Sequence, residues 1–448
     1  MAGFLPSRIS SYMGGSMSAG KAMINTVFTN YGIKLLNVLT GIILARSFGA
    51  IGRGEWEAMR VWPATFITLG ILGLDKALIY YASRTPEKSK HFTSTYFLLV
   101  TVLSLLWCVV GWIAMPIFLG THSNGIIRGA QWHMLIVPMG FWASSFVVLS
   151  ALKRYALWNF VRQMIPVLWL LGLLVLLVTH SLTPWSVMWV SVAAMAARLI
   201  IIMIILARVN ATPSFRDIDT SQILPMSKYG IASSSGSTSQ FMNFRLDQLI
   251  MVGILAPELV GLYVISVSWS SLVDPAVDGL AQVAFPELSS KRKIAEAGPS
   301  LARYARLGLL LAIIASIPLI VAAPFLLPLI YGNDFSAAVP TAIVLVVAAI
   351  PKMANLVLGS GLRGIGHPIT TAWAEGLGLV LTLMLLYLLL PKYDIMGAAL
   401  TSLVAYSATF LILVVGASRH ANVSIRDIIL PTHQDMTGIW KRVTNAIK

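Results

Sequence analysis

The sequence predicts an all-α, polytopic membrane protein, with twelve transmembrane helices in two six-helix lobes related by a pseudo-two-fold axis along the membrane normal. Three observations predict it. Of 448 residues, 57% are hydrophobic and only 11% charged, against about 25% charged in an ordinary soluble domain. Roughly 255 apolar residues would fill about twelve spans of about 20 residues each. The chain also repeats itself at an offset close to half its length. So few charges cannot cover a water-facing surface, which excludes a soluble enzyme, a nucleic-acid binder and a disordered chain.

Residues 1–22 hold Arg8 and Lys21 but no apolar core, so they read as a cytoplasmic arm rather than a cleaved signal peptide. Apolar runs follow at 23–45, 61–83, 95–119, 131–151, 164–180 and 184–207, which make an N-lobe over 23–207. A cytoplasmic linker takes 208–227. Further runs at 228–255, 258–285, 304–330, 337–358, 369–390 and 394–418 make a C-lobe over 228–418, and 419–448 is a cytoplasmic tail. The longest outer connection is 46–61. With the N-terminus inside, Lys and Arg divide 22 to 5 between the cytoplasmic and outer sides, which places both termini in the cytoplasm. The net charge of +15 is then a topological bias with some attraction to anionic lipid, not a nucleic-acid footprint. A single cysteine, Cys108, lies in an apolar run, so no internal disulfide forms.

The repeat is read by laying the stretch from Leu44 over the stretch from Met251, an offset of 207 residues. Gly54 then meets Gly261, Trp56 meets Tyr263, Ala77 meets Ala284, Ser83 meets Ser290 and Arg84 meets Lys291. Six helices separate the copies. An even number gives both halves the same orientation, as in transporters built from parallel repeats.

Ten ionisable residues fall inside the spans: Lys34, Asp75, Lys76, Arg198, Arg245, Asp247, Asp274, Asp278, Lys352 and Glu375. Facing lipid, each costs about 2.5–3.5 kcal/mol at the bilayer centre. Their sum exceeds a typical folding stability of about 5–15 kcal/mol. They must face other helices, one another or water. Helical spacing groups them. Thr26, Asn30, Lys34, Asn37 and Gly41 form one stripe on the first span. Gly230, Ser234, Ser237, Phe241, Arg245 and Gln248 form another on the seventh, and Ser266, Ser270, Asp274 and Asp278 a third on the eighth, which Pro275 bends. A hydrated cavity between the lobes accounts for all three stripes; helix-to-helix pairing accounts for any one of them.

Chemistry that would mark an enzyme is absent. Gly359, Gly361 and Gly364 spell G-x-G-x-x-G, but at a helix end with no strand before them. The seven His are scattered without zinc spacing, and no G-x-S-x-G or G-x-x-x-x-G-K occurs. No cofactor is expected beyond a coupling Na+ or H+, and no metal site.

The motifs ARSFGAIGRGEWE (45–57), GLDKAL (73–78), NFRLDQLIMVGILAPELVGLYVIS (243–266), FPELS (285–289), LIYGNDF (329–335) and GIGHP (364–368) follow in an order that resembles polysaccharide-biosynthesis membrane proteins. The chain is similar to oligosaccharide flippases of the polysaccharide transporter family, within the multidrug/oligosaccharidyl-lipid/polysaccharide exporter superfamily. Arg53 departs from the pattern, where an aromatic residue commonly precedes the glycine.

The resemblance implies a flippase of the cytoplasmic (inner) membrane that carries a polyprenyl-pyrophosphate-linked oligosaccharide to the outer leaflet by alternating access, alongside glycan polymerase or assembly proteins. Lys34 and Arg245, then Arg198 and Lys352, are the cations for the pyrophosphate. Asn30, Asn37, Ser234, Thr238 and Gln248 could hydrogen-bond sugars, and Trp62, Phe241 and Trp269 could stack on them. Asp247, Asp274 and Asp278 are candidates for ion or proton coupling. The rival readings are a cation-coupled multidrug exporter of the same architecture, a membrane-embedded glycan polymerase or ligase, and a scaffold for an assembly complex.

Overall fold

A computed structural model describes residues 19–290 and 294–430. Most of the expected arm and tail lie outside the described residues, as do Lys291, Arg292 and Lys293. Among the described residues every regular element is helical. In chain order they are α1 (Ala19–Gly70), α2 (Leu74–Arg84), α3 (Ser89–Phe118), α4 (Asn124–His133), α5 (Ile136–Ala143), α6 (Val148–Ala151), α7 (Tyr155–Val178), α8 (Pro184–Arg208), α9 (Ile223–Ile254), α10 (Pro257–Ser270), α11 (Asp274–Ser290), α12 (Ile294–Tyr331), α13 (Val339–Gly364), α14 (Pro368–Ala421) and α15 (Ile425–Ile429).

Nine of the described helical stretches are long and apolar enough to cross a membrane. Two of them are double. α1 breaks at Gly49 (φ 63, ψ −169), and α14 breaks at Asp394 (φ 47, ψ −130). Counted as pairs, and with the more polar α9 added, they make twelve spans in the predicted order. The chain is a multi-pass membrane protein.

The stretch at 46–61, expected to be an outer connection, is helical apart from Gly49. Its charges explain both the helix and the misreading. Glu57 is fully buried and accepts from Arg53 at 3.3 Å and Arg60 at 2.7 Å, four and three positions away on one helix face. Arg53, read as an outer-loop cation, is therefore inside the helix and 6% exposed.

Helix ends follow ordinary rules elsewhere. Thr183 and Ser186 form a reciprocal capping box ahead of α8, with Pro184 in the first turn where a missing N–H costs nothing. The expected bend at Pro275 is a 3-10 turn, Ser271–Val273, that separates α10 from α11 and leaves the proline in the first turn of α11.

Contacts divide the chain into two compact units, Met1–Thr238 with Val252–Glu258, and Ser239–Met251 with Leu259–Lys448. In the first, Trp56 stacks on Trp169 (5.4 Å, 26°) within a core that includes Leu44, Ile136, Leu173, Val187 and Met188. In the second, Leu288, Leu301, Leu358, Leu362, Leu413 and Val414 form the corresponding core. Between helices in lipid, van der Waals fit rather than expulsion of water holds such cores.

The repeat is visible in the backbone. Gly49, the break between the first two spans, has its offset partner at Ala256, which lies in the break between α9 and α10. Trp56 and Tyr263 are each 1% exposed, and Ala77 and Ala284 are each fully buried. The second and eighth spans are both interrupted, at 71–73 and 271–273, but not at equivalent positions, since 71–73 fall at the offset on 278–280 inside α11.

The segment read as a linker is tied to α3. The Lys90 ammonium bonds the Asp217 carboxylate at 2.8 Å, the amide of Asp219 donates to Thr95 Oγ1 at 2.9 Å, and that of Ser214 to Ser94 Oγ at 3.0 Å. The hydrogen bond from Lys90 holds the Asp217 carboxyl below the usual carboxylate range.

Candidate functional site

Each unit holds ionisable side chains on helix faces that hydropathy alone assigns to lipid depth. In the first unit, Asn30 and Lys34 lie one turn apart on α1, both half-buried. Arg162 of α7 donates to Asn30 Oδ1 at 2.7 Å and to Asn159 Oδ1 at 3.5 Å, and its guanidinium sits 4.5 Å over the Trp158 ring. Arg162 is thus brought to the Lys34 face of α1. The fifth apolar run starts at 164, whereas α7 starts at Tyr155, so the helix extends past the apolar run and carries Arg162. The missed signal was polar spacing: Asn159, Arg162 and Pro166 recur every three or four residues ahead of an apolar run.

Asn37 is exposed on the same helix. The side chain of Thr26 lies outside the described residues. Arg198 of α8 is 5.2 Å from the Phe146 ring, and its buried Nε has no hydrogen-bond partner among the described residues. Trp62 stacks face to face on Phe118 (4.0 Å, 20°). Ser234 is half-buried, and its hydroxyl donates to the Ile231 carbonyl at 3.1 Å. The side chain of Ser237 is outside the described residues; Thr238 is half-buried.

In the second unit the polar side chains form three linked groups on α9 and its neighbours. Arg245 donates to Gln248 Oε1 at 2.6 Å, so the two stripe residues are partners. Asp247, 5% exposed, accepts from the Tyr263 hydroxyl and from the Gln248 backbone N–H at 2.7 Å. Lys352 of α13 pairs with Asp274 of α11 at 3.2 Å and lies 5.2 Å over the Phe244 ring. A third group was missed as a site: the Asn243 amide donates to Glu375 of α14 at 3.2 Å and accepts from Thr382 at 3.1 Å, with Glu375 only 3% exposed. Glu375 was legible as a charge out of place. Its partner Asn243 was not, because periodicity gives a helix face and not the helix it meets.

The eighth-span stripe divides. Asp274 and Asp278 are half-buried, whereas Ser266 is fully buried and donates to the Leu262 and Ala338 carbonyls. Ser270 bonds its own helix at the Val267 carbonyl. Trp269, expected to offer a stacking face, is 3% exposed and donates its indole N–H to the Leu319 carbonyl at 3.1 Å. Ser266 and Trp269 hold helices together. Phe241 is half-buried.

Chemically, the arrangement offers guanidinium and ammonium donors beside amides and hydroxyls, the set that binds phosphoryl oxygens and sugar hydroxyls. No cluster of three or more His, Cys, Asp or Glu suited to a metal ion occurs among the described residues.

Twelve spans with charged helix faces define a polytopic helical membrane fold. Solved structures of that class superpose on it. The lipid II flippase MurJ in an inward closed conformation matches with a TM-score of 0.74 at 13% identity, covering 90% of this chain and 89% of that one. An inward-facing multidrug resistance MATE family transporter of the MOP superfamily matches at 0.70 and 13% identity, over 93% and 99% of the two chains. The MATE multidrug transporter DinF-BH matches at 0.61 and 16%, over 91% and 95%. The family is given by sequence: the chain belongs to the polysaccharide biosynthesis protein family, whose model matches residues 63–340. No curated protein matches the chain by sequence.

Proposed function

We propose that the chain flips a polyprenyl-pyrophosphate-linked oligosaccharide from the cytoplasmic to the outer leaflet of the cytoplasmic membrane by alternating access, with both termini in the cytoplasm, for cell-surface polysaccharide biosynthesis. One observation carries the reading: cations stand on polar helix faces in both units, Lys34 and Arg162 in one and Arg245 and Lys352 in the other, flanked by amides and hydroxyls. An anionic, sugar-bearing head needs that combination to leave water, while its prenyl tail stays in hydrocarbon. The polysaccharide family and the likeness to a lipid II flippase support the same substrate class.

The pyrophosphate is assigned to Lys34, Arg162 and Arg245, with Arg198 and Lys352 in supporting roles; Asn30, Asn37, Ser234 and Gln248 meet sugar hydroxyls. Coupling to Na+ or H+ falls to the acidic groups Asp247, Asp274, Asp278 and, by its burial against Asn243, Glu375. A buried carboxylate is stabilised by taking up a proton or a cation. Glycan polymerase or assembly proteins are the expected partners.

The likeness to MATE transporters favours a second reading, a cation-coupled multidrug exporter. One experiment separates them. In a deletion strain, the wild-type gene restores surface glycan and leaves drug sensitivity unchanged, whereas Lys34→Gln and Arg245→Gln proteins reach the membrane at normal levels and restore no glycan. Drug resistance restored without glycan would replace the first reading by the second.

A further inference from the structure

An apolar groove of about 400 Å³ opens on the first unit where α2, α3 and α9 meet, lined by Leu72, Leu74, Leu99, Val102, Ile223 and Ile231 among others. Its volume is within the range of about 300–1,000 Å³ typical of ligand sites. Val102 is 60% exposed and Ile231 57%, so the groove faces outward from the unit rather than into its core. Between its lining residues on α2 and α9 lies a close backbone contact. Gly73 adopts φ +71, and a Cβ there would lie 2.3 Å from the Gly230 carbonyl; a Cβ on Gly230 would lie 3.0 Å from the Leu72 carbonyl. Only glycines allow α2 and α9 to meet so closely.

Polar and aromatic side chains flank the lining residues of α2 and α9. Two residues beyond Leu74, the Lys76 ammonium donates to the Ser233 carbonyl at 2.9 Å. Lys228 is exposed next to the lining Ser227. Tyr229 stacks on Tyr80 (4.2 Å, 25°), and the Arg84 guanidinium covers the other ring partner at 4.2 Å from the Tyr80 centroid. Tyrosines with Arg and Lys mark the level where a membrane meets water. An apolar slot flanked by cationic and aromatic side chains is complementary to an amphiphile with an anionic head.

We propose that this groove binds the polyprenyl tail of the lipid-linked substrate, its phosphate end at Tyr80, Arg84 and Lys228. The proposal rests on the flippase reading and names where the part of the substrate that never leaves hydrocarbon is held. Beside the glycine contact of α2 and α9, a seated tail also lies against the one break in the second span.

The full chain in nanodiscs is irradiated with a polyprenyl phosphate bearing a diazirine in its tail, and adducts are mapped by peptide mass spectrometry. Adducts are expected within 72–74, 98–103 and 223–231, displaced by unlabelled polyprenyl phosphate. Val102→Trp and Leu99→Trp, each filling the slot, lower labelling about tenfold, the loss of contact with about two methylenes, while thermal unfolding shows both variants folded. Equal labelling by a diazirine-bearing phosphatidylglycerol, undisplaced by polyprenyl phosphate, would make this a general lipid site and overturn the proposal. So would full labelling of both Trp variants. The assay reads tail binding without translocation: a chain that exports glycan yet gives no groove adduct refutes the groove alone, and one labelled in the groove that moves no glycan refutes the flippase reading alone.

Discussion

Arg162 shows how much one residue alters the account. Its guanidinium joins α7 to Asn30 on α1, which sets a second cation beside Lys34 on a shared face. A planar guanidinium can hold Asn30 with one edge and a phosphoryl oxygen with another, whereas an ammonium is a point charge. Charge-assisted hydrogen bonds contribute about 1.5–3 kcal/mol, so Arg162→Gln is expected to slow glycan export by about ten- to a hundredfold. Arg162→Lys recovers only part of it. Export rates measured at equal protein levels check this; full activity in Arg162→Gln would remove the residue from the site. Sequence spacing singled out Lys34, Arg245, Arg198 and Lys352 because charges in apolar runs are conspicuous. Their partners were not readable: Gln248 for Arg245 was within one turn, but Asp274 for Lys352 and Asn243 for Glu375 come from distant stretches of chain.

At the scale of elements, all twelve spans were legible as apolar runs because hydrocarbon demands about 20 such residues, the seventh at 228–255 despite its serines. The errors fell where polar residues sit in helices. Arg53, Glu57 and Arg60 read as a loop by composition, although their spacing of four and three is that of ion pairs along one helix face. The break at 71–73 passed unread because Leu72 and Gly73 differ little in hydropathy from their neighbours. Both take positive φ, and Gly73 seats against Gly230. Gly73→Ala therefore strains the backbone and meets the Gly230 carbonyl, with an expected loss of about 1–3 kcal/mol. Gly41→Ala on α1 is the control, since a Cβ there meets nothing within 4 Å. Thermal unfolding in detergent distinguishes them: the midpoint falls for the first and holds or rises for the second. Equal midpoints would mean that the contact of α2 with α9 is not a constraint.

For the whole molecule, the repeat is the organising fact. A duplicated six-span unit places Gly49 and the 255–256 break in register, and gives Trp56 and Tyr263 the same burial. The duplication is of framework, not of chemistry. Lys34 has Phe241 as its offset partner, and the Asn243–Glu375–Thr382 group is built only of second-unit residues.

The central claim is that the cations on these helix faces carry an anionic glycan-lipid head across the membrane. The direct measurement is transbilayer movement of a polyprenyl-pyrophosphate-linked oligosaccharide in proteoliposomes, read as the fraction of glycan reached by a glycosidase added outside. Wild-type protein is expected to expose the inner-leaflet pool with time, and Lys34→Gln with Arg245→Gln to leave it protected at equal reconstitution. Exposure at the wild-type rate by the double variant would contradict the account.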